Sequence, residues 1–353
     1  MTKKHPTAAL AAKAALAVTA CAFVASPAHA HHPGGPGNSS GAGPINTISA
    51  TSLAAGSGVV GVVLDHTFLD ALSDQTLTTA VEAAYNQGEH AHIHSLDSLT
   101  ALSLNIAYGI TDDLTLALRL PHVSRKGIRA GHVHAGPPVE FEVHDEGSTS
   151  GVGDLSLLAQ WRFLKGPSGF EAALLGGVKA PTGRTEEKNG DGEVLDAEFQ
   201  PGSGSWDGMF GLALTRRVAA WSFDASFLYT LVTEGSQSTD LGDRVNYGLA
   251  VSYRIVGQEA GGHVHEGRAH VHPQGPSLDL VLELNGEWHD RQRSPGEVDE
   301  NSGGNVLYVS PGVRLSLDRV TGFASIGVPV LTDLNGVQSE PDWRLVTGVS
   351  VGF

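Results

Sequence analysis

The stretch Trp343-Arg-Leu-Val-Thr-Gly-Val-Ser-Val-Gly-Phe353 decides the fold. Trp343, Leu345, Thr347, Val349, Val351 and Phe353 form one row, and Arg344, Val346, Gly348, Ser350 and Gly352 form the other. Successive residues of an extended chain point to opposite faces, so this is a strand with one greasy side and one small or polar side. The same alternation recurs upstream. In 278–288, Leu278, Leu280, Leu282, Leu284 and Trp288 oppose Asp279, Glu283, Asn285 and Glu287. In 221–231, Trp221, Phe223, Ala225, Phe227, Tyr229 and Leu231 oppose Ser222, Asp224, Ser226 and Thr230. Further copies lie near 59–70, 98–110, 113–123, 153–164, 169–181, 206–216, 243–254, 305–318 and 320–331, which makes twelve.

A sandwich buries such a face against a second sheet, whereas a membrane barrel turns it to lipid. Four features favour the barrel. The segments are about twice the ~5–6 residues of an ordinary strand, a length that suits a tilted bilayer crossing. Trp161, Phe163, Trp221, Tyr253, Trp288 and Trp343 sit at segment ends, where an interfacial girdle needs aromatic rings. The opposing face is small or charged, and the chain ends on a strand closed by Phe353. Open sheet edges are not tolerated in lipid, so the reading is an all-β, transmembrane antiparallel β-barrel of about 12 strands. Loop lengths agree. Tight turns at 111–113, 165–169, 216–220 and 318–321 alternate with long connections at 71–97, 124–152, 183–204, 290–304 and 332–342. That asymmetry distinguishes periplasmic turns from external loops. The connection 255–276 is the exception, long but on the periplasmic side.

Composition narrows the functional classes. Among 353 residues there are 38 acidic and 22 basic side chains, 45 glycines and one cysteine. An acidic balance excludes a protein that binds nucleic acid by neutralising phosphates. The start of the chain reads as an address. Lys3, Lys4 and Lys13 precede an apolar run at 14–25 and the small-x-small site Ala28-His29-Ala30, the layout of a cleaved signal peptide. Val18-Thr19-Ala20-Cys21 offers a lipoprotein box as an alternative, with a shorter apolar run before it. The expected organisation is a signal peptide at 1–30, a periplasmic N-terminal segment at 31–50 and the barrel with its His-rich loops at 51–353. The expected location is the outer membrane of a Gram-negative cell, with its lipid as the first partner.

Four stretches carry a family resemblance: Tyr108-Gly-Ile-Thr-Asp-Asp-Leu-Thr-Leu-Ala-Leu-Arg-Leu-Pro121, Gly151-Val-Gly-Asp-Leu-Ser-Leu-Leu158, Lys179-Ala-Pro-Thr-Gly-Arg184 and Gln200-Pro-Gly-Ser-Gly-Ser-Trp-Asp207. They are similar to those of outer-membrane transporters named after the meta-cleavage pathway of phenol degradation. The resemblance covers roughly 45–353. It implies export to the outer membrane and passage of small molecules, with no binding or catalytic residue to transfer. The His-laden loops depart from a plain member of that family.

Histidine is the unusual ingredient, 17 in all. His90, His92 and His94 form a triplet, and His132 with His134, His263 with His265 and His270 with His272 form pairs, with His144 beside Asp145 and Glu146. Alternate residues of a strand share a face about 6.6 Å apart, so two imidazoles can converge on one ion at Zn–N distances of about 2.0–2.1 Å. Imidazole suits Zn, Cu or Ni rather than Mg or Ca. These ten histidines are therefore candidate ligands of loop-bound Zn, Cu or Ni, set against a bland reading as solvated polar loops; no cofactor is required. Just upstream, Leu77, Ala80, Val81, Ala84 and Tyr85 follow helical spacing, with Asp74 as a cap and Gly88 as a stop. The spacing predicts a short helix, either a lid over the pore or an element on the rim.

With the apolar phase given to lipid, Arg119, Arg162, Lys179, Arg244, Arg254, Arg314 and Arg344 line the lumen opposite Asp154, Glu171, Asp224, Asp279, Glu283, Glu287 and Asp318. The balance of signs describes either a charge-lined diffusion channel or a set of ion pairs filling the interior. Gly211, Gly248, Gly312 and Gly348 would leave part of it open. Enzymatic signatures fail. The loop Asn189-x-Asp191-x-Glu193 has Val194 and Gln200 where a calcium loop needs Gly and Glu. His122-Val123-Ser124 has no orienting acid or amide in phase beside it. The expected function is thus a non-enzymatic channel or transporter for small solutes with metal-binding loops, its cargo a small molecule or metal ion. The alternatives are an uptake channel for small aromatic or hydrophobic compounds, and an occluded barrel serving as metal buffer or sensor.

Overall fold

A computed structural model describes residues 42–87, 93–134, 136–257, 276–295 and 297–353. In chain order the elements are β1 (Gly58–Asp70), α1 (Asp74–Gln87), β2 (Ile93–Ser95), β3 (Ser98–Thr111), β4 (Leu114–His134), β5 (Glu140–Val152), β6 (Leu155–Lys165) and β7 (Phe170–Ala180). They continue with β8 (Asp207–Val218), β9 (Trp221–Leu231), β10 (Arg244–Val256), β11 (Ser277–His289), β12 (Arg293–Ser294), β13 (Glu297–Val298), β14 (Gly304–Leu317), β15 (Val320–Leu334) and β16 (Glu340–Gly352). The wall is a closed antiparallel barrel of twelve strands, all foreseen from period-two alternation. Strand β1 pairs with β3 on one side and with the last strand, β16, on the other, with Val59 opposite Gly352 and Val62 opposite Val349. Every wall strand thereby has two neighbours, as a lipid-embedded sheet requires.

The alternation resolves as expected into a lipid face and a lumen face. On β11, Leu280, Leu282 and Leu284 are 47%, 54% and 39% exposed, while the alternating Asp279, Val281 and Glu283 are buried. Exposed or half-exposed apolar side chains on every wall strand form a band that only acyl chains can cover. Aromatic rings collect at both rims. Trp221 and Tyr253 lie 4.6 Å apart near the short-turn end, and Phe68 stacks on Trp343 at 4.0 Å near the other.

The long connection expected at 124–152 is instead mostly strand. Strand β4 runs on beyond the wall to His134 and pairs with β5, so that β5 and β6 together accompany β4 along its length. This projecting hairpin is solvated on much of its surface, which is why its apolar pattern was faint. The predicted helix is present as α1, with Leu77, Val81 and Ala84 buried. It lies at the rim against Val133, Phe141 and Val143 of the hairpin and against Val337. Its cap is Ser73, whose Oγ accepts the Thr76 amide at 3.1 Å, whereas the expected cap Asp74 pairs with Arg129.

Candidate functional site: an occupied lumen beneath a histidine-bearing rim

The lumen is not empty. Residues 42–57, expected in part as a periplasmic segment, enter at the short-turn mouth and thread upward inside the barrel. At the mouth the Ala55 amide donates to Asp112 Oδ1 at 3.0 Å and the Leu53 amide to Thr115 Oγ1 at 2.8 Å. Higher up, Ala50 N reaches Thr215 Oγ1 at 2.8 Å and Ile48 N reaches Ser226 Oγ at 3.1 Å. At mid-barrel Glu283 receives the amides of Asn46 and Thr47, each at 2.9 Å, and the Asn46 side-chain amide at 2.8 Å. The physical reason is the pairing rule for buried backbone. A chain with no ladder of its own survives inside the barrel because wall hydroxyls and carboxylates accept its N–H groups. Two apolar nests add to this, Ile45 with Val281, Phe323 and Val346, and Ile48 with Leu158, Leu175 and Met209.

The glycines expected to keep the lumen open are what admit this segment. A Cβ at Gly248 would stand 2.7 Å from Thr47 Oγ1, and one at Gly312 would stand 2.6 Å from Ile45 Cδ1. Gly348 faces the Phe323 ring and Gly211 a neighbouring strand's carbonyl, so neither leaves a passage.

The charged lumen residues are paired. Arg344 makes a bidentate contact with Asp65 at 2.8 and 2.9 Å and reaches Glu287 at 2.5 Å. Arg254 meets Asp279 at 2.8 Å, and Arg162 meets Asp113 at 2.7 Å and Glu171 at 3.4 Å. Lys179 bridges Asp154 at 3.1 Å and Asp207 at 2.7 Å. Arg119 donates to Ser103 Oγ at 2.9 Å, Asp224 accepts from Thr215 and Ser222, and Arg314 is buried near Asp279 and Asp224. Arg244 lies close to Asp207 and Asp154. Asp318 departs from expectation: it is exposed, at φ 54°, in the turn between β14 and β15. The strand phase continued past the last ladder pair into the turn, where alternation no longer assigns a face. Asp65 was missed, although a lone acid within an apolar strand is the signal that could have found it.

From the opposite end the loop between β7 and β8 folds inward. Its 3-10 turn Ala197–Phe199 is buried, and the guanidinium of Arg125 donates to the carbonyls of Phe199 at 3.3 Å and Gln200 at 3.0 Å. Between this loop and the wall, beside Arg119, Asp154, Lys179 and Arg244, remains a cavity of about 60 Å³. That is room for a few waters. Segment 42–57 and this loop thus occupy the interior from opposite ends.

The candidate metal ligands divide into three groups. His90, His92, His263, His265, His270 and His272 lie outside the described residues. Among the described residues, His94 stands apart from the other histidines. It is buried on β2 with Asp196 3.3 Å from Nε2 and Glu198 3.1 Å from Nδ1, and its ring meets Phe199 edge-on. An imidazole with a carboxylate on each nitrogen forms a cationic clamp on the inserted loop. His132, His134 and His144, in contrast, come together on the β4–β5 hairpin with Glu142 and Glu146. His122 faces Leu102 and Val152 across the ladder, with neither acid nor amide to orient it.

Burial opposes the charge on His94, but the hydrogen bonds and charges of Asp196 and Glu198 outweigh it and raise its pKa to about 10. The folded value lies above the ~6.5 of a free imidazole, so the clamp acts in full below about pH 6.5 and is lost as pH rises through about 10. Amide exchange at 195–200 should therefore show protection that falls on alkalinisation, beyond the intrinsic base dependence. His94→Gln should flatten that fall. Identical pH dependence in both proteins would remove the clamp from the account.

A closed antiparallel barrel with a lipid-facing apolar band, aromatic rims and a charged interior defines an outer-membrane β-barrel protein, and the comparisons agree. Residues 123–268 match the model of the family described as "Putative MetA-pathway of phenol degradation", the same family that the sequence resembles. Among solved structures the chain is similar to the COG4313 outer membrane channel from Pseudomonas putida F1. The two are 18% identical with a TM-score of 0.53, over 86% of this chain and 98% of that one. The β domain of the Bordetella autotransporter BrkA has a TM-score of 0.42 at 12% identity, covering 85% of this chain and 100% of its own. LpxR from Salmonella typhimurium has the same score and identity, covering 84% and 99%. No curated protein matches the sequence.

Proposed function

We propose that this protein is a gated outer-membrane channel for small solutes, with small aromatic or hydrophobic compounds as its cargo. The observation that carries the gating is the threaded segment 42–57. It is held by non-covalent bonds to wall side chains, centred on Glu283, rather than being a strand of the wall. A plug of that kind can leave without opening the barrel. The match of residues 123–268 to a family named for phenol degradation supports the cargo class. Metal ions as cargo gain nothing from the wall, whose charges are occupied with one another.

Single-channel recording in planar bilayers tests the gating. The intact chain should show rare openings, and a variant lacking residues 42–55 should show sustained conductance. Equal silence from both would exclude the segment as the gate. Cargo is tested separately, by uptake of a labelled phenol at low concentration in cells with and without the protein. Faster uptake of sugars but not of the phenol would overturn the aromatic reading while leaving the channel intact.

A further inference from the structure

We propose that the projecting β4–β5 hairpin carries a divalent-metal site for an ion of the zinc class. Its ligands are His132, His144 and Glu146, with His134 and Glu142 extending the same row. The ladder register places them together. His132 lies opposite Glu142, His144 opposite Ala130 and His134 opposite Glu140. Directly opposed residues share a face with Cβ atoms about 4.5–5.5 Å apart, and Glu146, skipped where the register shifts between Ile128 and Arg129, turns its carboxylate to His132.

The donor atoms are already close. His132 Nε2 is 3.2 Å from Glu146 Oε1, and Glu142 Oε2 is 3.7 Å from His144 Nε2 and 3.8 Å from His134 Nε2. Within each of the triads His132–His144–Glu146 and His134–Glu142–His144, all donor atoms lie within 4.8 Å of one another. Ligands around a tetrahedral zinc with bonds of about 2.0–2.2 Å stand roughly 3.3–3.6 Å apart, so small side-chain rotations complete the set. The two triads share His144, which makes this a site for one ion rather than two.

Three further features distinguish the row from a solvated histidine patch. The opposite face is fixed, because Val133, Phe141 and Val143 pack on α1. Glu146 is oriented from outside the set: the Asn189 side-chain amide donates to its Oε2 at 2.6 Å and leaves Oε1 towards His132. Such an outer partner commonly accompanies a ligating carboxylate. Finally, a set rich in imidazole selects borderline ions such as Zn(II) over Ca(II) or Mg(II), which want oxygen. The site stands where the hairpin meets the inserted loop, since Asn189 belongs to the connection between β7 and β8.

The experiment is titration calorimetry of the full chain in detergent with zinc chloride, and with calcium chloride as control. The intact protein should bind one more zinc than His144→Ala, with no calcium uptake at that site. Glu146→Gln retains an acceptor for the Asn189 amide, and as the loss of a direct ligand it should weaken the same site by at least the ~10–100-fold that losing an outer partner costs. It carries the test if His144→Ala does not fold. His122→Ala, outside the row, should titrate as the intact chain. Unchanged zinc stoichiometry and affinity in Glu146→Gln, or in a folded His144→Ala, would overturn the site.

Discussion

Arg344→Met should destabilise the barrel by about 3–5 kcal/mol, the usual cost of stranding buried charges by removing their partner. The guanidinium holds Asp65 of β1 in a bidentate grip and reaches Glu287 of β11, with the Tyr308 ring 5.6 Å away. It therefore ties the first wall strand to the last at the seam and also reaches β11, three strands along the wall from β16. Without it, the buried carboxylates of Asp65 and Glu287 lose the guanidinium that hydrogen-bonds to both. Urea unfolding from lipid vesicles measures the loss. Arg184→Met is the contrast, because Arg184 is exposed and its pair with Glu187 is a surface ion pair. It should cost no more than about 0–1 kcal/mol. Adding Asp65→Asn and Glu287→Gln to Arg344→Met should recover much of the stability, since the damage lies in buried carboxylates that have lost their hydrogen-bonded cation. Equal, small effects for Arg344→Met and Arg184→Met would show that the lumen pairs are hydrated, and the packed interior described above would be wrong.

The wall was legible in the sequence because lipid on one side and a packed lumen on the other impose the same two-residue period on every strand. The helix was legible for the analogous reason: Leu77, Val81 and Ala84 meet one apolar surface. The contents of the lumen were not legible. Residues 42–57 have no periodicity, and the carboxylate that organises them, Glu283, is more than two hundred residues away in the chain. From the sequence, Gly248 and Gly312 looked like open space, because the atoms that fill it belong to a segment with no pattern of its own. The histidines were legible as clusters but not as distinct roles. His94 and His132 both lie in histidine-rich stretches, and only tertiary contacts send one to Asp196 and Glu198 and the other to Glu146 and His144. The hairpin is not legible as strand because its two faces meet a helix and water, neither of which imposes an apolar alternation.

Leu282→Arg should cost about 2–4 kcal/mol of stability in lipid, and Leu317→Arg only about 0–1, because the cost of a cation on the lipid face depends on depth. Both leucines are exposed and both belong to the outward row. Leu282 lies midway along β11, opposite Val251 and Pro311, whereas Leu317 is the last residue of β14 beside the short turn. In water, either arginine would be a surface substitution of little consequence. Against a second protein layer, either would be comparably disruptive. Only a bilayer separates them, because an arginine near the interface can reach the headgroups while one at the midplane cannot. Unfolding both variants from phosphatidylcholine vesicles alongside the intact chain gives the comparison. A gap that closes when lipid is replaced by a short-chain detergent would locate the cost in membrane depth, and a gap absent in lipid would contradict the lipid-facing band.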